Sequence, residues 1–195
     1  MTELIRWLAK PPFFLTLVFK IYRSQKERAC VKKDIYHFLA ENTIKYERYD
    51  HPAVYTFEQA NRLVPDLEAV RTKNVFVRDK KGRSHFMIMV GDGRRIDLRA
   101  LSEKLNVKRL SLGSPERLQA LLGVDPGAVS PLALINDGEN KVDLLFDNAL
   151  AEECFFQCHP MVNTSTLRLE KDELLSFLNA ADHPPRWLDI PFLSD

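Results

Sequence analysis

The chain has 195 residues, enough for one domain with a substantial core. Hydrophobic residues make up 45% and charged residues 28%, with a formal net charge of +1. That balance excludes wholesale disorder, and it excludes attraction to nucleic acid through bulk charge, so any such contact must come from a local patch.

Residues 1–30 read as a basic N-terminal extension in which Arg6, Lys10, Lys20, Arg23, Lys26 and Arg28 face only Glu3 and Glu27. The apolar run from Pro12 to Phe19 is far shorter than the roughly 20 residues of a membrane span, so stable membrane insertion is not expected. Residues 31–195 read as the folded domain. The spacing of Val31, Ile35, Phe38 and Leu39 predicts a helix ending near Glu41-Asn42, then a strand from Ile44 to Tyr49 and a turn at Asp50-His51-Pro52. Thr56 and Gln59 resemble a capping box, opening a helix with Phe57, Ala60, Leu63 and Val64 inward until Pro65 stops it.

Strands are predicted over Ala69–Lys73, Asn74–Arg78 and His85–Val90, with a turn at Asp79-Lys80-Lys81-Gly82. Met87 and Met89 alternate with Ile88 and Val90, as expected of a strand covered on both faces. Asp97 caps a helix carrying Leu98, Leu101 and Leu105, and Ser114-Pro115 opens another that ends at Gly123. Strands follow at Leu132–Ile135 and Lys141–Phe146 around an Asn136-Asp137-Gly138 turn, then at Glu153–Gln157 and Thr166–Leu169. A last helix, Lys171–Ala180, presents Leu174, Leu175, Phe177 and Leu178. Short strands mixed with short helices, without regular βαβ alternation, predict an α/β fold with a mixed sheet or partly closed barrel.

Three cysteines with no CxxC pair give no disulfide framework and fit a reducing, cytoplasmic setting. Cys154 and Cys158 beside His159 lack a second ligand pair with zinc spacing, so they read as strand cysteines and no metal or cofactor is expected. P-loop, G-x-S-x-G, H-E-x-x-H and dinucleotide patterns do not occur. Any hydrolysis would therefore rest on positioning and preorganised dipoles.

Three segments can carry such chemistry. Lys73-Asn74 opens a strand, where a lysine is usually solvated but can also position a ribose or phosphate. Gly123 to Pro131 is by composition a helix-to-strand connection, yet Gly127 between Pro126 and Pro131 can present backbone N–H groups to a carbonyl. Cys158-His159-Pro160-Met161-Val162-Asn163-Thr164 reads as a turn, within which His159 can orient a water near neutral pH.

Taken in order, these segments resemble the YbaK / prolyl-tRNA-synthetase-associated editing family, from about Val31 to Pro191. Lys73-Asn74 with the strand to Asp79, the Gly127-x-x-x-Pro131 element and Phe155-Phe156…His159-Pro160…Asn163-Thr164 look like its freestanding alanyl-tRNA(Pro) deacylase (PrdX/ProX-like) branch. The resemblance implies a curved mixed sheet surrounded by helices. It implies metal-free hydrolysis of mischarged alanyl-tRNA(Pro), assisted by the 2′-hydroxyl of the terminal adenosine.

On that resemblance, Lys73 holds the terminal nucleotide and favours developing negative charge; beside phosphates it keeps its proton and is no general base. Gly127 offers N–H contacts and Pro131 fixes its loop. His159 lines the amino-acid pocket, with Asn74 and Asn163 beside the substrate. Phe57 and Val129 limit the pocket's size, because a site made for proline cannot strongly exclude the smaller alanine and a second, smaller sieve must clear it. Lys80, Lys81, Arg83, Arg94 and Arg95 form the expected tRNA patch. The partners implied are the acceptor end of tRNA(Pro) and prolyl-tRNA synthetase.

Two positions depart from the family pattern: Cys158, where a larger apolar residue is expected, and Asp182 before His183, where glycine is usual. The alternatives that stay open are a deacylase for cysteinyl- or seryl-tRNA and a tRNA- or synthetase-binding module of the same fold.

Overall fold

The computed structural model describes residues 33–54, 59, 62–91 and 93–194. The basic extension, Phe57 and most of the helix expected after Thr56 lie outside them. Among the described residues no helix is long and apolar enough to cross a membrane.

Side-chain caps set the helix starts. The Asp34 carboxylate accepts from the N–H groups of Tyr36 and His37 to open α1 (Ile35–Glu41), and Asp97 does the same for α2 (Leu98–Lys104). Ser114 caps α3 (Pro115–Leu122), with proline at the first helical position. Gly123 closes it at φ 65°, a left-handed conformation that costs glycine nothing. The last helix, α4 (Lys171–Ala180), matches the expected limits and buries Leu174, Phe177 and Leu178.

The strands form two sheets. The larger has the order β4 (Ser111–Leu112), β2 (Thr72–Arg78), β3 (His85–Gly91), β5 (Val142–Asp147), β8 (Arg186–Leu188). Its β4–β2 and β2–β3 pairings are antiparallel, and its β3–β5 and β5–β8 pairings are parallel. The smaller is antiparallel: β1 (Glu47–Asp50), β7 (Ser165–Glu170), β6 (Phe155–Cys158). The large sheet begins at β4 and ends at β8 without joining them. Of the two forms expected, the open mixed sheet is the one formed, and the partly closed barrel is not.

A principal core fills the space between the sheets. It gathers Phe76, Met87, Met89, Leu144 and Phe146 from the large sheet with Phe156, Leu167 and Leu169 from the small one. Residues of α1, α3 and α4 complete it. The other face of the large sheet, with Val77, Phe86, Ile88, Val90 and Leu145, packs on Leu101 of α2, Leu110 and Ile190. Residues His85 to Val90 of β3 are therefore buried on both faces, as their alternation predicts.

Four expectations need correction. Residues 131–136 form a buried 3-10 helix, Pro131–Asn136, not a strand. Ser130 caps it and Pro131 takes the first position, while a short continuous apolar run carries no period to separate helix from strand. The two strands expected between Ala69 and Arg78 are one, β2, preceded by a single bridge at Val70. The strand expected from Ile44 starts at Glu47. Leu63 points outward at 41% exposure, while Val64 is buried.

Candidate functional site

The site residues gather where the two sheets separate. The Val70 N–H donates to the Phe155 carbonyl at 2.8 Å, and the Val70 carbonyl accepts from Gln157 N–H at 3.1 Å, a parallel bridge between the approach to β2 and β6. Beyond it β2 enters the large sheet and β6 ends at Cys158. Thr72-Lys73-Asn74 and Cys158-His159-Pro160 thus leave one junction in the same direction. Where parallel segments diverge in this way, a crevice able to take a ligand is expected between them.

Asn74 joins this junction to the Gly127 loop, its Nδ2 donating to the Val129 carbonyl at 3.2 Å. A carbonyl oxygen accepts only from a donor, so this contact fixes which way the amide faces. Oδ1 then points away from Val129. It and the hydroxyl of Thr72, two positions earlier on the same strand face, are buried without a hydrogen-bond partner among the described residues. Lys73 is exposed. Strand alternation places it on the opposite face, with Val75 and Val77. Lys73 and Asn74 are therefore adjacent in sequence but leave the sheet in opposite directions.

The Gly127 loop is a tight turn. Ala128 N–H donates to the Asp125 carbonyl at 3.0 Å, with Pro126 and Gly127 at the centre and Gly127 at φ 92°. Proline followed by a positive-φ residue is the type II arrangement, which requires glycine there. Gly127 is exposed, and a Cβ built on it would meet nothing within 4 Å. Pro131, by contrast, is buried as the first residue of its 3-10 helix, so it anchors the loop from the core side.

His159 leaves the end of β6 with its Nδ1 3.4 Å from the Ser165 carbonyl. A carbonyl neighbour requires the proton on Nδ1, which leaves Nε2 as a lone-pair acceptor. Burial pushes the His159 pKa below its ordinary value, the Ser165 carbonyl opposes this, and His51 nearby lowers it further. Its surroundings thereby favour the neutral imidazole. Asn163 is spent on structure: its Nδ2 donates to the Val54 carbonyl at 3.4 Å, and its own carbonyl accepts from Val54 N–H at 3.0 Å. Cys158 is a core residue whose thiol burial raises to about 12, so it is a packing side chain and no nucleophile.

The basic residues do not form one patch. Lys80, Lys81 and Arg83 sit on the β2–β3 turn, beyond Arg78. Arg94 and Arg95 follow Gly91, which pairs with Thr72 at the Lys73 end of β2. At 3.3 Å per residue, about 20 Å of strand separates the groups. Arg94 is also engaged internally, 3.8 Å over the Phe192 ring and 3.8 Å from the buried Asp147 carboxylate.

Sequence reading missed two residues here. His51 Nδ1 lies 2.9 Å from the Pro52 carbonyl and its Nε2 3.0 Å from Thr166 Oγ1, so it holds the wall behind His159. A signal existed: His-Pro occurs at 51–52, 159–160 and 183–184, and all three histidines turn Nδ1 to a backbone carbonyl. The other, Thr72, gave no signal, because nothing local separates a strand threonine with an unpaired hydroxyl from an ordinary one.

Comparison with known proteins adds to this geometry. Residues 51–177 match the model of the aminoacyl-tRNA editing domain. A prolyl-tRNA editing protein, ProX, of Acetoanaerobium sticklandii is 35% identical over 144 residues, covering 73% of this chain and 87% of its own. The prolyl-tRNA synthetase associated domain-containing protein 1 of Danio rerio is also 35% identical, over 157 residues, covering 80% and 85% respectively. Among solved structures, a candidate trans-editing enzyme for prolyl tRNA synthetase superposes with a TM-score of 0.63 at 17% identity, covering 81% of this chain and 94% of that one. At that identity the likeness concerns the fold.

Proposed function

This chain belongs to the aminoacyl-tRNA editing domain family, and from its site we propose that it is a trans-acting deacylase that hydrolyses the ester of mischarged alanyl-tRNA(Pro). The observations that support the reading are the Asn74 contact that ties the Gly127 loop to β2 and the bridge that sets β2 beside β6, from whose end His159 leaves.

In this reading the terminal adenosine and its ester enter the crevice between the ends of β2 and β6. Lys73 reaches the ribose or phosphate from the rim, as its exposure allows. The N–H of Gly127 and the Lys73 ammonium hold the oxyanion that forms when water adds to the ester carbonyl. The His159 Nε2 accepts a hydrogen bond from that water and orients it, and the 2′-hydroxyl of the adenosine assists. The C–O bond to the 3′-oxygen then breaks as the proton given up by the attacking water passes, through the 2′-hydroxyl, to the departing 3′-oxygen, releasing alanine and intact tRNA. Val129, set by the Asn74 contact, limits the space for the side chain, so that methyl fits and the proline ring does not. Lys80, Lys81, Arg83 and Arg95 serve the phosphates of the acceptor arm.

The test is amino-acid release from alanyl-, prolyl-, cysteinyl- and seryl-tRNA(Pro), with wild type beside Lys73→Ala. Release of alanine alone is expected, with proline spared and a loss of about a hundredfold or more in the variant. Release of cysteine or serine instead would move the specificity and keep the chemistry. Full activity in a folded Lys73→Ala protein would remove Lys73 from the mechanism. Binding of tRNA without release of any amino acid would replace the deacylase with a binding module.

A further inference from the structure

The deacylase reading assigns no partner to the buried Oδ1 of Asn74 or the hydroxyl of Thr72. Leaving a buried polar atom unpaired costs about 1–3 kcal/mol, so two of them side by side on one strand face at a site call for an explanation. Asn74 cannot relieve its own oxygen by turning the amide, because its nitrogen would then abandon the Val129 carbonyl and set two oxygens against each other. Oδ1 is thus a fixed acceptor. The Thr72 hydroxyl, free to rotate, either donates or accepts.

An aminoacyl ester carries one strong donor that separates it from other esters on the same ribose: its α-amino group. Resting on the deacylase reading, we propose that Thr72 and Asn74 form the α-amino subsite, with an amino N–H donated to Asn74 Oδ1 and the Thr72 hydroxyl beside it. Both acceptors are neutral, which suits an amine next to an ester carbonyl, and no carboxylate is needed. Both atoms are shielded from solvent in this conformation. The proposal requires a shift that uncovers them while the Asn74–Val129 contact is kept, and the open surroundings of Gly127 make that turn the place for it. The same tether links the two parts of specificity: one amide holds Val129 against the side chain and accepts from the amino group, so size and amine are sensed together.

The experiment compares alanyl-tRNA with isobutyryl-tRNA, in which a methyl replaces the α-amino group, in single-turnover reactions of the full chain. Wild type is expected to favour the alanyl ester by about a hundredfold or more after correction for spontaneous hydrolysis, because a site built around a donor rejects the analogue lacking it. In Thr72→Val, which is isosteric, the alanyl rate is expected to fall while the isobutyryl rate stays, collapsing the ratio; in Asn74→Ala, which also frees Val129, both rates are expected to fall, the alanyl rate further. Thr72→Ser is expected to restore the ratio. Affinity for non-hydrolysable amide-linked alanyl and isobutyryl analogues gives a second readout that does not depend on catalysis.

Equal losses on both esters would overturn the proposal and leave the two residues with a role in shape only. If the effect of the variants followed removal of the ribose 2′-hydroxyl in the amide-linked analogues, and not removal of the amino group, the donor would be the ribose and the proposal would fail. No release from any tRNA by wild type would defeat the deacylase reading itself, an outcome visible before any variant is compared.

Discussion

The polar groups that flank the two ends of the 3-10 helix Pro131–Asn136 serve opposite purposes. Past its C-terminal end, the Asp137 carboxylate lies 3.2 Å from His183 Nε2, accepts from Val142 N–H at 2.7 Å, and is 4% exposed. His183 Nδ1 meets the Ala181 carbonyl at 2.7 Å, so both ring nitrogens are paired. Before its N-terminal end come Gly127 and Val129 with the Asn74 contact, and β6, bridged to the approach of β2, leads to His159, of which only Nδ1 is paired among the described residues. Among the described residues, one end pairs both nitrogens of its histidine with a carboxylate and a carbonyl, while the other keeps an amide oxygen and a hydroxyl without partners and a histidine bonded through Nδ1. Closed polar groups stabilise a fold, and open ones are left for a ligand. Damage at the closed end should therefore appear in stability, and damage at the open end in activity.

The largest effect is expected at Asp137. Asp137→Ala strands His183 in the interior and removes the acceptor of Val142 N–H, a loss of about 3–5 kcal/mol by analogy with other broken buried pairs. Urea unfolding measures it, and the variant that remains folded at low temperature should still release alanine normally. The pair also sets a pH signature. Burial, the largest single influence, would lower His183 and raise Asp137, but their mutual hydrogen bond and attraction, together with the Ala181 carbonyl at His183 and the Lys141 and Val142 N–H groups at Asp137, outweigh it and hold His183 above and Asp137 below their ordinary values. For Asp137 the stabilisation is present above its unfolded pKa and is lost as pH falls through the lowered folded value. For His183 it is present below its unfolded pKa and is lost as pH rises through the raised folded value. The contribution is therefore full between about pH 4 and 6.5. Melting temperature should fall from pH 6 to pH 8.5 in wild type, and His183→Gln should flatten that slope. A variant at Asp137 that lost activity without losing stability would break the contrast between the ends.

At the open end, His159→Asn preserves a donor for the Ser165 carbonyl and deletes the Nε2 lone pair. A loss of about a hundredfold in kcat/KM is expected, with stability little changed. The wild-type rate should also show an acid limb. Because burial depresses the His159 pKa, protonation removes the acceptor only below about pH 6.5, and the enzyme should work unhindered at neutrality. The limb should vanish in the variant. If it persists there, another group carries it and His159 only supports the loop.

The contrast between the ends also marks what the sequence could reveal. Helix α4, the hairpin of β2 and β3, and the caps at Asp97 and Ser114 were legible because periodicity and capping are local. Asp182, a departure from the usual glycine, sits at φ 61° with its carboxylate accepting from Asn140 at 2.6 Å. A substitution that looks anomalous in one dimension is a positive-φ residue held by a neighbour. Pro131–Asn136 was misread because five buried residues in succession have no polar face to set a phase. Strands β4 and β8, of two and three residues, are too short for any pattern. At the site, Lys73, Asn74, Gly127 and His159 stood out as an ordered set, but which valences they spend on each other is decided by tertiary contacts alone. Asn163 shows the limit: its residue type suggested substrate contact, while its amide is used on Val54.

The smallest effect is expected among the basic residues, where the same question of commitment applies. Arg94 rests on Phe192 and faces Asp147, whereas Arg95 is exposed at the Lys73 end and Lys80, Lys81 and Arg83 are exposed at the hairpin turn. On the proposed reading, a single-stranded terminus bound near Lys73 would meet Arg95 first, while the turn, about 20 Å along β2, would face the acceptor duplex. Removing Lys80 and Lys81 should weaken binding of whole tRNA and flatten its salt dependence by about 0.9 in slope for each lost phosphate contact. Binding of a short oligonucleotide ending in the acceptor sequence should be untouched. Arg95→Ala should weaken both. If the turn variant weakened the oligonucleotide as much as the tRNA, the terminus would run along β2 towards the turn, and the division of the basic residues by distance would be wrong.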